Sequence, residues 1–105
     1  MTVDTSCCSP RLAGHVDARR AEAVSELAKL LSDPIRVQLL DVLRGHEDEV
    51  CQCELHPLFA VSQPTLSHHL RKLEEAGLVS VERRGRWAYY STDPDALEAL
   101  TAWLS

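Results

Sequence analysis

Long apolar runs are missing from this chain, and so is anything resembling a signal peptide. No stretch reaches the ~18 residues a membrane-crossing helix needs, so no span is expected. Met1-Thr2-Val3-Asp4-Thr5-Ser6 lacks both a basic start and an apolar core, so the expected compartment is the cytoplasm. Thiols stay reduced there, and four cysteines then point to metal or redox chemistry and away from a disulfide framework. Internal repeats and low-complexity segments are absent as well. No histidine has a supporting carboxylate at a spacing that would serve a cysteine nucleophile, which argues against a thiol enzyme.

A surplus of positive charge is also lacking overall, since the net charge is −5. Its distribution is informative. The segment from Ser62 to Tyr90 carries five basic and three acidic residues, or +2, while the remainder stands at −7. A basic face on an acidic body orients the molecule towards phosphate. The 105 residues suffice for one domain with a modest core, so dimerisation is an expected source of added stability.

Residues 1–16, with Pro10 and Gly14, show no periodicity and are read as a flexible arm carrying Cys7 and Cys8. Residues 17–105 are read as the DNA-binding and dimerisation domain. Ala21, Val24, Leu27, Ala28 and Leu31 make one helical stripe. Asp33-Pro34 ends that helix and caps a second one, lined by Ile35, Leu39, Val42 and Leu43 and ended by Gly45. A short third helix is expected from Cys51 or Cys53 to Phe59. Ser62 is expected to cap a fourth, with Leu66, Leu70 and Leu73 buried and Gly77 at its end. Leu78–Val81 and Trp87–Ser91 read as strands around an Arg83-Arg84-Gly85-Arg86 turn. A last helix is expected to open at Asp93 or Pro94, with Leu97, Leu100, Trp103 and Leu104 on one side. The fold class is mainly α: a winged helix-turn-helix of about five helices and a two-stranded wing.

In the fourth helix, the side opposite the leucines carries Ser67, His68 and Arg71, with Gln63 and Thr65 in the first turn after Ser62. Helix N-terminal residues reach base edges in this motif, and Arg71 suits guanine or phosphate. Arg83, Arg84 and Arg86 suit phosphate or the minor groove. His69 lies nearer the core and is expected to pack or to hydrogen-bond internally. The bland alternative is a solvated amphipathic helix beside a charged turn; the two pieces in this order outweigh it.

Cys51 and Cys53 would point about 200° apart in a regular helix. They can converge only if one lies in the turn before the helix or in its first turn, where free amides also favour thiolate. An arm running about 30 Å from Cys8 to Asp17 can bring Cys7 or Cys8 to that position. Three thiolates suit arsenite or antimonite, and four suit cadmium, lead or zinc. A redox-sensing repressor using the same thiols is a further alternative. His56 is a possible extra ligand, but a polar surface histidine is the plainer reading.

The sequence resembles the ArsR/SmtB family of metal-sensing repressors from about Ala23 to Leu104. The carriers are Leu31-Ser32-Asp33-Pro34-Ile35-Arg36, Cys51-Gln52-Cys53-Glu54-Leu55, Ser62 through Leu70, Glu75-Ala76-Gly77-Leu78-Val79 and Arg84 through Tyr90. The resemblance implies a homodimer formed by the first and last helices, here with Leu27, Leu97, Leu100, Trp103 and Leu104. It implies repression of an adjacent resistance operon, through double-stranded operator DNA, and release on metal binding. Arsenic sensors of the family carry Cys-x-Cys-x-x-Cys; here the third position is His56, so a site confined to the third helix is in doubt. Other arsenic sensors use an adjacent cysteine pair on the arm, which Cys7-Cys8 resembles. The inducer so implied is As(III) or Sb(III), with Cd(II) or Pb(II) as the alternative. The family's zinc and nickel sites on the last helix need histidines this chain lacks.

Overall fold

The computed structural model describes residues 16–105 together with Leu12 and Gly14. The elements run α1 (Ala18–Leu30), α2 (Pro34–Arg44), β1 (Val50–Cys51), α3 (Gln52–Leu55), a 3-10 turn (His56–Leu58), α4 (Gln63–Glu75), β2 (Val79–Arg84), β3 (Trp87–Thr92) and α5 (Glu98–Leu104). Three helix starts are set by short polar side chains that satisfy otherwise free amides. Asp17 accepts the Arg20 amide at 3.1 Å, Asp33 accepts that of Ile35 at 2.9 Å, and Ser62 accepts that of Thr65 at 3.3 Å. Pro34 and Pro64 occupy first-turn positions where no amide is needed.

The end of α4 is fixed by Gly77 at φ +78°, a conformation that penalises any side chain. The Gly77 amide donates to the Glu74 carbonyl at 2.9 Å and the Leu78 amide to the Leu73 carbonyl at 3.0 Å. This pair of bonds reverses the chain directly into β2. β2 and β3 form the antiparallel wing, and β1 adds to the other edge of β3, so the sheet order is β1-β3-β2. Leu39, Leu43, Leu55, Leu66, Leu70, Leu73 and Leu78 are fully buried and join α2, α3, α4 and the sheet into one core.

The two-stranded wing is present as expected, with one strand added to its sheet, and three further expectations need correction. The sheet has three strands: Val50 pairs with Tyr90 and Cys51 with Tyr89, a long-range pairing with no local signature. The third helix is cut short, with α3 ending at Leu55 and a 3-10 turn replacing its second half around Pro57, whose ring blocks α-helical bonding. The wing strand runs through Arg84, so the turn is only Gly85-Arg86, with Arg84 opposite Trp87. Gly85 at φ +60° is the first central residue of that tight turn, the place where a type II′ hairpin takes glycine. Finally, α5 opens at Glu98. Asp93 does cap locally, accepting the Asp95 amide at 3.0 Å, but the following amides make i to i+3 bonds: Ala96 to Asp93 and Glu98 to Asp95.

Candidate nucleic-acid interface and cysteine pair

The α4 helix is anchored by Leu66, His69, Leu70 and Leu73 and exposes its opposite side. Gln63, Thr65, Ser67, His68, Arg71 and Lys72 are all solvent-facing, a continuous polar strip with Ser62 at its head. Arg71 donates to His68 Nδ1 at 3.2 Å and lies 4.0 Å from Glu75. Both contacts are exposed, so either can exchange for phosphate or a base edge at small cost. His69 is packed into the core; its Nε2 lies 3.7 Å from Asp33, and its Nδ1 has no partner among the described residues.

The wing arginines are differently placed. Arg84 is paired with both Glu49 and Glu82 and lies over the Tyr89 ring at 4.6 Å. The hydrogen bonds it donates to Glu82 and then to Glu49 push its pKa still further above the ordinary arginine range, so it is held as a cation. The same hydrogen bond from Arg84 holds the Glu82 carboxyl below its usual value. Arg83 reaches Glu74 at 3.9 Å. Arg86, at the turn, stacks over Trp87 at 5.3 Å and has no carboxylate partner among the described residues. Of the three, Arg86 is the one most available to an incoming phosphate.

Cys51 and Cys53 do converge. Cys51 is the last residue of β1 and the cap of α3, with extended backbone angles (φ −68°, ψ 140°), whereas Cys53 lies in the first helical turn. That break in regularity removes the angular separation of a continuous helix. The Cα atoms are 5.1 Å apart and the two sulfurs are joined as a disulfide. The Cys51 sulfur accepts the Cys53 amide at 3.3 Å, and Glu54 accepts the Cys51 amide at 3.4 Å. Cys51 is buried and Cys53 exposed, so the pair can be reached from outside. Among the described residues no group of three or more His, Cys, Asp or Glu side chains is placed to hold an ion. Further donors would have to come from elsewhere; Cys7 and Cys8 lie outside the described residues. His56 is not a free surface histidine: it is half-buried, and its Nε2 bonds the Val61 carbonyl at 3.0 Å, pinning the turn into α4.

A cleft of about 240 Å³ lies between the cysteine pair, the start of α4 and the wing, lined by Cys51, Gln52, Cys53, Gln63, Ser67, Arg86, Trp87 and Ala88. Across it Gln52 Nε2 donates to Ser67 Oγ at 2.7 Å. Sequence reasoning missed Gln52 and Glu49. Both act through partners 15 and 35 residues away, so no local pattern marks them.

Of the expected dimer-forming residues, Trp103 and Leu104 are exposed, and Leu27, Leu97 and Leu100 are only half-buried. α1 and α5 lie against each other. Among the described residues no helix is long and apolar enough to cross a membrane.

The sequence profile described as bacterial regulatory protein, arsR family, matches residues 33–81, the segment from the α2 cap into β2. A solved structure of a possible transcriptional regulator for arsenical resistance is 36% identical, with a TM-score of 0.65, covering 72% of this chain and 77% of that one. The chain belongs to the arsR family. Family members are DNA-binding transcriptional regulators and not enzymes, and the winged helix-turn-helix described above is their fold. The arsenic resistance transcriptional regulator of Pseudomonas putida is 38% identical over 76 residues, which are 72% of this chain and 59% of that protein. A cadmium resistance regulatory protein homolog of Staphylococcus aureus is 36% identical over 77 residues, covering 73% of this chain and 63% of that protein. The chain therefore spans less than two thirds of either regulator.

Proposed function

We propose that this arsR-family regulator is a metalloid-responsive repressor acting in the cytoplasm. As a homodimer it binds double-stranded operator DNA, and arsenite or antimonite releases it. Cys51, Cys53 and one of Cys7 and Cys8 hold the ion as thiolates. Gln63, Thr65, Ser67, His68 and Arg71 meet the bases and backbone, with Ser62 at the helix head. Arg86, and the outer faces of Arg83 and Arg84, meet phosphate. Leu27, Leu97, Leu100, Trp103 and Leu104 are covered by the partner subunit. The observation that carries the reading is the convergence of Cys51 and Cys53 at the head of α3, directly beside the DNA-facing helix. The similarity to an arsenic resistance regulator supports the choice of ion.

Release follows from geometry. Two half-sites about one DNA turn apart must receive both reading helices at once. An ion that draws the arm onto the head of α3 alters the setting of α4 relative to its twin, and the affinities for ion and DNA then oppose each other by the same factor. The test is fluorescence anisotropy of the reduced protein on its upstream promoter DNA, titrated anaerobically with arsenite, cadmium, lead and zinc. Release by arsenite with weak response to zinc is expected.

The cadmium regulator's similarity favours a second reading, a four-thiolate cadmium or lead site using Cys7, Cys8, Cys51 and Cys53. The closeness of Cys51 and Cys53, with Cα atoms 5.1 Å apart, favours a thiol redox sensor. Release by cadmium with indifference to arsenite selects the former, and release only by oxidant selects the latter.

A further inference from the structure

We infer that Gln52 is the residue that couples the cysteine pair to the DNA-reading helix, through its hydrogen bond to Ser67. The inference rests on the functional reading above, in which the cysteines receive the signal and α4 meets DNA.

Gln52 stands between the two cysteines in sequence, at the first position of α3. Its backbone is bounded on both sides by the peptides of the residues that would take the ion. Any change in the Cys51 and Cys53 torsions therefore displaces Gln52 first. Its side chain reaches across the cleft it shares with the two cysteines to the exposed side of α4, where the amide donates to Ser67 Oγ at 2.7 Å. Among the described residues this is the one side-chain to side-chain hydrogen bond between α3 and α4.

Ser67 has one donor proton and two acceptor lone pairs. While Gln52 occupies an acceptor position, the Ser67 hydroxyl proton remains free to donate outward to a phosphate or base acceptor. The bond thus does two things at once: it fixes α4 against the head of α3, and it presents Ser67 as a donor on the DNA-facing side. Breaking it is cheap in the free protein, because the carboxamide opens into a solvent-accessible cleft and no buried polar group is stranded. A contact that is easily broken and that links the two functions is a suitable two-state element.

The test uses the full-length reduced protein and four chains: wild type, Gln52→Ala, Ser67→Ala and the double variant. Promoter affinity is measured by anisotropy with and without arsenite, and arsenite affinity is measured separately without DNA. Gln52→Ala is expected to bind arsenite as wild type does. Its ratio of ion-free to ion-loaded DNA affinity should shrink on the order of threefold to tenfold, the scale of one net hydrogen bond. The double variant should lose no more of that ratio than either single variant, because both remove the same bond. Gln52→Glu keeps the size and reverses the bond, so that Ser67 must donate inward; its ion-free DNA affinity should fall below that of Gln52→Ala. A wild-type ratio in Gln52→Ala, or additive losses in the double variant, would overturn the proposal. If the wild type shows no arsenite-dependent change at all, the functional reading fails and this proposal falls with it; normal release in the wild type and in Gln52→Ala sinks the coupling alone.

Discussion

The exposed strip of α4 and the wing hairpin looked equivalent as stretches of basic and polar residues, and the structure makes them different. On α4 the polar side chains project to solvent and hold only weak exposed contacts, such as Arg71 with Glu75 at 4.0 Å. On the wing, Arg84 is committed internally to Glu49, Glu82 and the Tyr89 ring, and Arg83 leans on Glu74. Glu49 directly precedes β1 and the cysteine pair, so Arg84 braces the wing to the segment that carries Cys51. Positive charge in a sequence is therefore not the same as positive charge available to DNA. One arginine can serve as a strut while its neighbour, Arg86, is left for the ligand.

The largest effect comes from removing what both regions stand on. Leu70 is fully buried beneath α4, and Leu70→Ala should cost about 2–5 kcal/mol in denaturant unfolding and abolish operator binding with it. Next in size, Arg71→Ala should weaken promoter binding by about 1–3 kcal/mol if it reads a base, with folding stability unchanged within error. Arg86→Ala should weaken binding to all sequences alike and lower the slope of log affinity against log salt by about 1, whereas Arg84→Ala, whose guanidinium is already held by Glu49 and Glu82, should lower it less. If Arg84→Ala lowers the slope as much as Arg86→Ala, the distinction between strut and ligand is wrong.

The smallest effect is that of pH on the brace. Glu82 has its pKa lowered by Arg84, so its contribution is complete above the ordinary carboxylate range and is lost as pH falls through its depressed value. Thermal melts should show a small wild-type advantage over Glu82→Gln that is constant between pH 6 and 8 and disappears only in acid. An advantage that changed near neutrality would place the effect elsewhere.

Much of the scaffold was legible because its signals are local. Asp33 and Ser62 cap within three residues of themselves, and Gly77 ends α4 through its own backbone angle. The convergence of Cys51 and Cys53 was also foreseeable, since one-residue spacing leaves an irregular helix start as the way to bring them together. What could not be read depends on distant pairing. β1 is only two residues long and exists because Tyr89 and Tyr90 pair with it. The pairing of Arg84 with Glu49 and of Gln52 with Ser67 needs the completed fold. The place of Cys7 and Cys8 lies outside the described residues.

The central claim is that Cys51 and Cys53 receive the signal that α4 transmits, and it is tested most directly by one titration. Cys51→Ser and Cys53→Ser would each be bound to promoter DNA and titrated anaerobically with arsenite beside the wild type. The account predicts operator affinity close to wild type in both variants, with release abolished. Normal release by either variant would contradict it, because that sulfur would then not be a ligand.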